Sequence, residues 1–388
     1  MKRAFKIFSS LRLTVICLIF AVLLVFFGTL AQVNEGLYQA QARWFRSFFV
    51  WWGPEAAGWK VPFFPGGYLV GGVLLTNLIT AHVARFKVSW KKLGINVTHA
   101  GIILLLVGQL ATDLLSHETQ MRFSEGESKN FSESALSNEL VITTDSGKLN
   151  EEEVVSIPES ILRTEKEIRH EKLPFVVRVT QYYPNAQVRA RGPMVDKGEP
   201  PATRGVGAQA VVTPLAETHT MDARNFPAAV IDLVGPQGSL GTWLVSTMLN
   251  RPQEIKLGDR TWRVSYRWER QYLPFNMQLL KATHEVYTGT EIPKNFQSRI
   301  RIENPQRSEN REVDIYMNNP LRYEGLTFFQ YQMGRDEMDI SRGSSTLQVV
   351  KNPSWRTPYI GCLMVGAGML IQFLMHLVGF ISKRRIAP

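Results

Sequence analysis

The sequence predicts an integral membrane protein with four transmembrane α-helices and one large, mainly antiparallel β domain outside the cytosol. Three observations predict this fold. Four long apolar segments contain no Asp, Glu, Lys or Arg, clusters of Lys and Arg lie beside them, and a polar stretch with strand-like alternation occupies residues 113–356. Only 45% of the 388 residues are hydrophobic, so the chain combines membrane spans with a soluble part.

The apolar segments are long enough to form transmembrane helices. A helix needs about 20 residues to cross a hydrocarbon core of about 30 Å. The segments lie at about residues 13–31, 68–84, 93–112 and 357–382. We therefore predict three domains along the chain: a membrane domain with three spans at 1–112, a β domain at 113–356, and a fourth span with a basic tail at 357–388.

The basic residues set the orientation of these spans. The net charge of +10 comes from three clusters without acidic residues, at the N-terminus, at residues 85–92 and at the C-terminus. Lys and Arg beside membrane spans mark the cytosolic side, so we expect both termini in the cytosol and residues 113–356 on the other side. The clusters are Lys2, Arg3, Lys6 and Arg12; Arg85, Lys87, Lys91 and Lys92; and Lys383, Arg384 and Arg385. This distribution indicates a lipid bilayer as the partner rather than nucleic acid.

Residues 36–52 are unusually rich in aromatic side chains, with Trp44, Trp51 and Trp52 among them. Trp favours the membrane–water interface because its ring is apolar and its N–H is polar. We predict a helix over residues 36–52 that lies on the outer membrane surface. The alternative is a helix packed beneath the soluble domain.

The polar stretch at residues 113–356 has the pattern of antiparallel strands, because β-branched and aromatic residues alternate with polar ones between turn-forming residues. A repeated Leu-Pro-Phe, at 173–175 and 273–275, suggests two β layers or subdomains. The stretch has no catalytic motif, so we assign it no catalytic residue. The clearest strand-like runs are residues 175–183, 208–213, 262–268 and 346–350.

Several motifs along the chain carry a resemblance to a known family. The first span ends in Gly28-Thr29-Leu30-Ala31-Gln32, and the third contains Thr98-His99-Ala100-Gly101. The β domain contains further matching blocks at 287–298, 317–325 and 328–330, of which 317–325 is the most specific. In these motifs the chain resembles the ResB (CcsB) family of the System II machinery for cytochrome c maturation. Asn352-Pro353 departs from the family, which more often has Asp-Pro-Gly before the last span.

The resemblance implies a subunit of a haem export and cytochrome c synthetase complex in the bacterial cytoplasmic membrane. The expected partners are a ResC (CcsA)-type membrane subunit, apocytochrome c and a thioredoxin-like reductant of apocytochrome. The expected cofactor is haem b, bound transiently and shared with the partner subunit. This chain lacks the partner's Trp-rich motif, so it is expected to be an incomplete part of a haem lyase without a self-contained active site.

Histidines inside the spans are the candidate haem ligands. A histidine within a membrane span costs free energy unless it is bonded or binds a ligand, and neutral imidazole is a common axial ligand of haem iron. His99 lies about 9 Å into the third span, and Gly94, Gly101 and Gly108 mark the opposite flank of that helix. The resemblance at Thr98-His99 favours His99 as the ligand. Lower candidates are His376, which could pair with His99 in the same chain, and His82.

Two alternative interpretations stay open. His99 could instead be a structural histidine bonded to a neighbouring helix. The whole chain could be a membrane-anchored extracytoplasmic scaffold of ResB-like fold that binds a partner without haem. Intramembrane histidines discriminate between the two functions, because an anchor does not need them.

Overall fold

In the computed structural model, the chain forms two compact units. The first, called the membrane unit here, contains Met1–Ser116 and Asn352–Pro388, and the second, called the β unit, contains His117–Thr218 and Arg224–Lys351. The structure describes residues 2–53, 59–85, 89–147, 151–192, 198–218, 225–249, 251–289, 293–335, 339 and 341–386.

Four helices of the membrane unit have the length and apolar composition to cross a membrane, as the sequence predicted. They are Leu11–Glu35, Gly67–Ala84, Leu93–Leu115 and Thr357–Ser382. The helices in chain order, of which the sixth belongs to the β unit, are α1 (Lys2–Phe8), α2 (Leu11–Glu35), α3 (Leu37–Ala40), α4 (Gly67–Arg85), α5 (Leu93–Leu115), α6 (Glu159–Thr164) and α7 (Thr357–Ile386).

The predicted helix over residues 36–52 is wrong in its second half. The helical segment α3 continues as one stretch of π-helix at Gln41–Phe45 and then ends. The next element is strand β1 (Phe49–Trp52), which pairs antiparallel with β2 (Val61–Pro65). The pairing needs the segment at Val61–Pro65, which lies outside the aromatic stretch, so the pattern of residues 36–52 could not reveal it.

The same hairpin explains why a strand is stable at this position. Successive residues of a strand point to opposite faces. Val50 is buried and packs in a small cluster with Leu24 and Trp44, whereas its neighbours Phe49 and Trp51 are exposed. Burying Val50 removes apolar surface from solvent, and the backbone of β1 finds its hydrogen-bond partners in β2.

The β unit is built from antiparallel strands, as the sequence predicted. Among its named strands every pairing is antiparallel. The strands are β3 (His117–Ser124), β4 (Ser128–Asp145), β5 (Glu152–Pro158), β6 (Glu167–Ile168), β7 (Val176–Tyr183), β8 (Ala186–Ala190), β9 (Ala210–Pro214), β10 (Ala228–Gly235), β11 (Gly238–Ser246), β12 (Gln253–Leu257), β13 (Arg260–Val286), β14 (Pro293–Asn304), β15 (Glu309–Tyr316), β16 (Leu321–Tyr323), β17 (Leu326–Arg335) and β18 (Gly343–Lys351).

One sheet dominates the β unit. Its strand order is β15-β14-β13-β4-β3-β18-β17-β16, with β12 also paired to β13 and β5 also paired to β4. A second sheet has the order β11-β10-β7-β6, and β8 pairs with β9 separately. The first and last strands of the unit, β3 and β18, are neighbours, so the chain enters and leaves the β unit on adjacent strands.

Three hydrophobic clusters lie within the described residues of the β unit, and β13 contributes to the two larger ones. Its first part places Trp262 and Val264 in one core, and its second part places Phe275 and Met277 in the other. The two copies of Leu-Pro-Phe fall in different cores. They are not equivalent positions, because residues 173–175 precede β7 whereas residues 273–275 lie within β13.

Candidate functional site

The position of α4 is set by a buried asparagine. Asn77 is 1% exposed, and its amide nitrogen donates to the backbone oxygens of Phe8 at 2.7 Å and Ser10 at 3.1 Å. Its amide oxygen accepts from the hydroxyl of Thr14 at 2.7 Å. Hydrogen bonds of this kind satisfy a polar side chain where water is absent, so Asn77 holds α4 against the start of α2.

The orientation of His82 follows from the anchoring of α4 by Asn77. It lies five residues after Asn77, so it is turned about 140° around the helix axis from the face that contacts α2. Its side chain is half buried. The side of α4 that is not engaged by α2 therefore presents an imidazole.

The glycine flank of α5 packs within the chain, as the spacing of its glycines predicted, and the structure identifies α7 as the helix that it contacts. A Cβ placed on Gly94 would lie 2.6 Å from the backbone oxygen of Gly368, and one placed on Gly101 would lie 2.9 Å from that of Gly361. Small residues at such a position allow two membrane helices to approach closely. Thr98 belongs to the same interface, since its hydroxyl would lie 2.5 Å from a Cβ on Gly368.

His99 points away from this interface and meets His82. The two imidazole rings have centroids 5.9 Å apart and planes inclined by 30°. Nδ1 of His99 lies 2.8 Å from the backbone oxygen of Ile95. A carbonyl oxygen can only accept, so Nδ1 donates in this contact, and in a neutral imidazole Nε2 then keeps the lone pair that a metal would need.

The Thr-His-x-Gly motif therefore has two separate roles in the helix. Thr98 and Gly101 contact α7, whereas His99 between them faces α4. Residues three apart on a helix share a face, whereas adjacent residues point in different directions. The motif thus supports close helix packing on one side and exposes one imidazole on the other.

The structure gives His99 and His376 different contacts, so it provides no support for a pair between them in the same chain. In the described part of the chain the ring contact of His99 is with His82, and the contact of His376 is with Gln372, whose amide nitrogen lies 2.8 Å from Nε2 of His376. The physical reason is the direction of α5. Its glycine flank faces α7, so a side chain on the opposite flank cannot reach that helix.

A polar cluster at the other end of the spans was missed by sequence reasoning. Asp113, within the last turn of α5, accepts a hydrogen bond of 2.6 Å from the hydroxyl of Tyr68 and forms an ion pair of 2.7 Å with Arg46. The predicted span ended at residue 112, one residue short of this carboxylate. Three distant segments meet in the cluster, and nothing in their local sequence signals it.

The other histidines considered in the sequence have ordinary surroundings or lie outside the description. Nδ1 of His170 accepts a hydrogen bond of 3.2 Å from the backbone N–H of Lys172. The ring of His284 packs against Phe296, with centroids 4.7 Å apart. His219 lies outside the described residues, as do Lys87 of the second basic cluster and residues 290–292 of one family-like block. Within the described residues no group of three His, Cys, Asp or Glu side chains is arranged to hold a metal ion.

The most specific family-like block, residues 317–325, has a structural role in the β unit. Tyr323 is buried in the second core, with its ring edge-on to Phe275 at a centroid distance of 4.9 Å. Its hydroxyl accepts a hydrogen bond of 2.9 Å from the amide of Asn304 and donates one of 2.7 Å to Glu309. The tyrosine thus fastens the turn between β14 and β15 to the core.

The donor set at His82 and His99 fits a haem iron. Neutral imidazoles are established axial ligands, and the hydrogen bond to Ile95 fixes the tautomer of His99. Both side chains are half buried rather than enclosed, so a planar ligand could approach them from the side of the helix pair. His376, by contrast, has its Nε2 bonded to Gln372.

Comparison with known proteins supports the resemblance found in the motifs. Residues 253–342, which run from β12 into the hairpin after β17, match the ResB-like family. A stretch of 102 residues, 26% of this chain, is 28% identical to Protein NrfI of Wolinella succinogenes. That stretch corresponds to 11% of the length of Protein NrfI. The predicted resemblance to the ResB family is thereby confirmed.

Proposed function

We propose, from the premise that this chain is a ResB-like protein, that it works as one subunit of the membrane machinery for cytochrome c biogenesis. The single observation that carries the proposal is the family match at residues 253–342. The four apolar helices agree with it, because haem must cross a membrane to reach an exported cytochrome. The proposed partners are a ResC (CcsA)-type membrane subunit, apocytochrome c and a thioredoxin-like reductant.

We place the β unit outside the cytosol and both termini inside it. The distribution of Lys and Arg supports this orientation. His99 then lies about 9 Å from the cytosolic end of α5. Haem is made in the cytosol, so a ligand at this depth is suited to receive it from that side.

His99 is the proposed axial ligand of haem b. Its Nε2 carries the lone pair because Nδ1 donates to Ile95, and the uncharged stretch at residues 93–112 of α5 offers an imidazole few other partners. Haem bound here would supply the iron and the vinyl groups used in attachment to apocytochrome c. The chain itself would hold the porphyrin and limit access of water to the iron.

Replacing His99 tests the proposal. In a strain that also makes the ResC-like partner, His99→Ala should lower co-purified haem and the yield of holocytochrome c at least about tenfold, the order of loss typical of perturbed metal sites. Protein level and topology should stay unchanged, and added imidazole should restore part of the haem. His170→Ala in the β unit is the control and should leave both yields intact. Normal haem and normal cytochrome c in the His99→Ala strain would contradict the haem role.

A scaffold without haem is the second candidate function. One observation favours it: the family match lies in the β unit and does not include His82 or His99. Absorbance spectra discriminate between the two functions. If the purified complex shows no haem band while the partner still co-purifies with the full chain, the scaffold interpretation is the correct one.

A further inference from the structure

We infer that a groove on the β unit binds a small polyanion, a molecule with at least two carboxylate or phosphate groups. The groove has a volume of about 480 Å³ and is lined by residues of β3, β4, β17 and β18 and of the turn between β3 and β4. Its charged lining consists of three cationic side chains and one acidic one: Arg122, Lys129, Arg335 and Glu127. The inference goes beyond the proposed function and does not depend on haem.

The groove lies on the outer face of the large sheet. Met121 and Phe123 are buried in one hydrophobic core of the β unit, so Arg122 between them points to the opposite face. Leu347 belongs to the same core, so its neighbour Thr346 also points outward. Arg122 and Thr346 are register partners on β3 and β18, and their side chains are therefore adjacent on the outer face.

Short side chains on three neighbouring strands form the floor of the groove. Arg122, Thr346 and Gln332 form one row across β3, β18 and β17. About 7 Å further along the strands, the next row on this face consists of Ser124, Ser344 and Gly334. The second row is low because its residues are small, and it leaves an open space beside the long side chains of Arg122 and Gln332.

The positive charge of the groove is only partly neutralised. One carboxylate oxygen of Glu127 pairs with Lys129 at 3.0 Å, and the other accepts a hydrogen bond of 3.0 Å from the backbone N–H of Ser124. Lys129 also donates to the backbone oxygen of Arg122 at 2.6 Å. Among the residues that the structure describes, no carboxylate pairs with the guanidinium of Arg122 or Arg335. Guanidinium groups match the geometry of carboxylate and phosphate oxygens, so an anion would complete the pairing.

A buried hydroxyl group in the floor is a second, independent indication of a ligand. Thr346 is only 6% exposed and lines the groove. Within the described part of the chain its hydroxyl has no hydrogen-bond partner. A buried polar group without a partner costs free energy. An oxyanion in the groove would accept a hydrogen bond from this hydroxyl and remove that cost.

The size and polarity of the groove define the class of ligand. A volume of about 480 Å³ is in the range of pockets for small organic ligands and is larger than one inorganic anion needs. Ser, Thr and Gln side chains line it, which does not suit an apolar porphyrin. Arg122 and Arg335 lie on strands separated by β18, and so about 10 Å apart across the sheet. A ligand that reaches both needs more than one anionic group.

Titration of the full chain, purified in detergent, with citrate and with pyrophosphate tests the inference by isothermal titration calorimetry. One probe carries carboxylates and the other phosphates, so the tighter ligand identifies the preferred group. Sodium chloride at the same ionic strength should give no comparable heat. Arg122→Gln should weaken binding at least about tenfold, because a charge-assisted hydrogen bond is lost. Arg260→Gln, at an exposed position that begins β13, is the matched control and should bind as the wild type does.

Thr346→Val separates a ligand-binding role from a structural one. Valine keeps the shape of threonine without the hydroxyl, so binding should weaken about fivefold. The melting temperature without anion should stay the same or rise, because valine favours strands and no bond to a described residue is lost. Thr213→Val, at an exposed position of β9, is the control and should change neither quantity.

Three results would overturn the inference. The first is a wild-type chain that responds to citrate and pyrophosphate no more than to sodium chloride. The second is equal loss of affinity in Arg122→Gln and Arg260→Gln, which would indicate diffuse attraction to a basic surface. The third is unchanged affinity in both Arg122→Gln and Thr346→Val, which would place the bound anion elsewhere on the chain.

Discussion

At the scale of single residues, the contacts of Tyr323 show what a family-like motif contributes to the fold. The side chain is 8% exposed, and its hydroxyl bonds to Asn304 and Glu309 on either side of the turn between β14 and β15. Phenylalanine would keep the packing on Phe275 and would remove both hydrogen bonds. The motif is therefore expected to act through stability and not through chemistry.

Tyr323→Phe should destabilise the β unit by about 1 kcal/mol, because it leaves a buried amide without its partner. Thermal unfolding of the purified full chain, followed by the β signal in circular dichroism, measures the change. Tyr331→Phe is the control, because Tyr331 is half exposed. Equal melting temperatures for the two variants would show that the Tyr323 hydroxyl contributes nothing.

Two carboxylates near this turn predict the direction of the pH dependence. The hydrogen bond from Tyr323, together with the guanidinium of Arg311, holds the pKa of Glu309 below its usual value. The hydrogen bond from Arg299 lowers the pKa of Asp314 in the same way. A depressed pKa in the folded state means that these bonds stabilise the fold above the ordinary carboxyl pKa of about 4.3 and are lost as the pH falls below it.

The melting temperature of the β unit should therefore fall between pH 6 and pH 3, and the fall should be smaller in Glu309→Gln. Glu285→Gln, a change at an exposed position, should follow the wild-type curve. The difference should shrink in high salt, because exposed ion pairs are screened. Parallel curves for wild type and Glu309→Gln would contradict the assigned role of Glu309.

At the scale of elements, the contact between α5 and α7 depends on glycine. A Cβ on Gly94 would lie within 2.8 Å of backbone and side-chain atoms of Gly368 and Gln372. Two helix backbones can relieve such a clash only by moving apart. Gly71 on α4 is different, because a Cβ there meets no atom within 4 Å. The two positions form a matched pair for testing helix packing in the membrane unit.

Gly94→Leu should separate α5 from α7 at a cost of about 1–3 kcal/mol, the usual range for overpacked interfaces. Crosslinking between cysteines introduced on the two helices, together with the melting temperature in detergent, measures the loss. Gly71→Leu should behave as the wild type does. A stable, efficiently crosslinked Gly94→Leu protein would show that α5 and α7 are not held by this glycine.

The membrane unit also shows where local patterns fail for whole elements. Dense aromatic residues suggested one helix over residues 36–52, yet its last four residues form β1, which pairs with β2 at Val61–Pro65. Helix and strand both place Trp at an interface, so composition could not separate them. The strand is favoured because it places Val50 in a buried position beside Leu24 and Trp44.

At the scale of the whole molecule, the proposed orientation predicts which turns are accessible from outside the cell membrane. Asp259 lies in the exposed turn between β12 and β13, and Ser89 lies in the short connection between α4 and α5. The first belongs to the β unit, and the second is part of the region that contains the second cluster of basic residues.

In a chain without Cys17 and Cys362, Asp259→Cys should react with a membrane-impermeant maleimide in spheroplasts, and Ser89→Cys should react only after lysis. The physical reason is the position of the basic clusters beside the spans, since translocating them across the membrane would be costly. The reverse labelling pattern would overturn the orientation and with it the cytosolic capture of haem by His99.

The sequence by itself determined the four apolar helices, the antiparallel character of the β unit and the glycine flank of α5. Each follows from local periodicity or composition, because apolar length, alternation and the spacing of small residues are properties of neighbouring positions. The same helical periodicity predicted that His99 points away from the glycines. They could name the candidate ligands but not the neighbour that His99 would meet.

Only the tertiary structure identifies His82 as the neighbour of His99. His82 and His99 lie on different helices, and their contact depends on how Asn77 orients α4 and how the glycines orient α5. The β1–β2 hairpin, the cluster of Asp113 with Arg46 and Tyr68, and the two cores joined by β13 have the same origin. Each results from groups in different segments of the chain that satisfy one another's hydrogen bonds or exclude solvent together, and such pairings cannot be read from either partner alone.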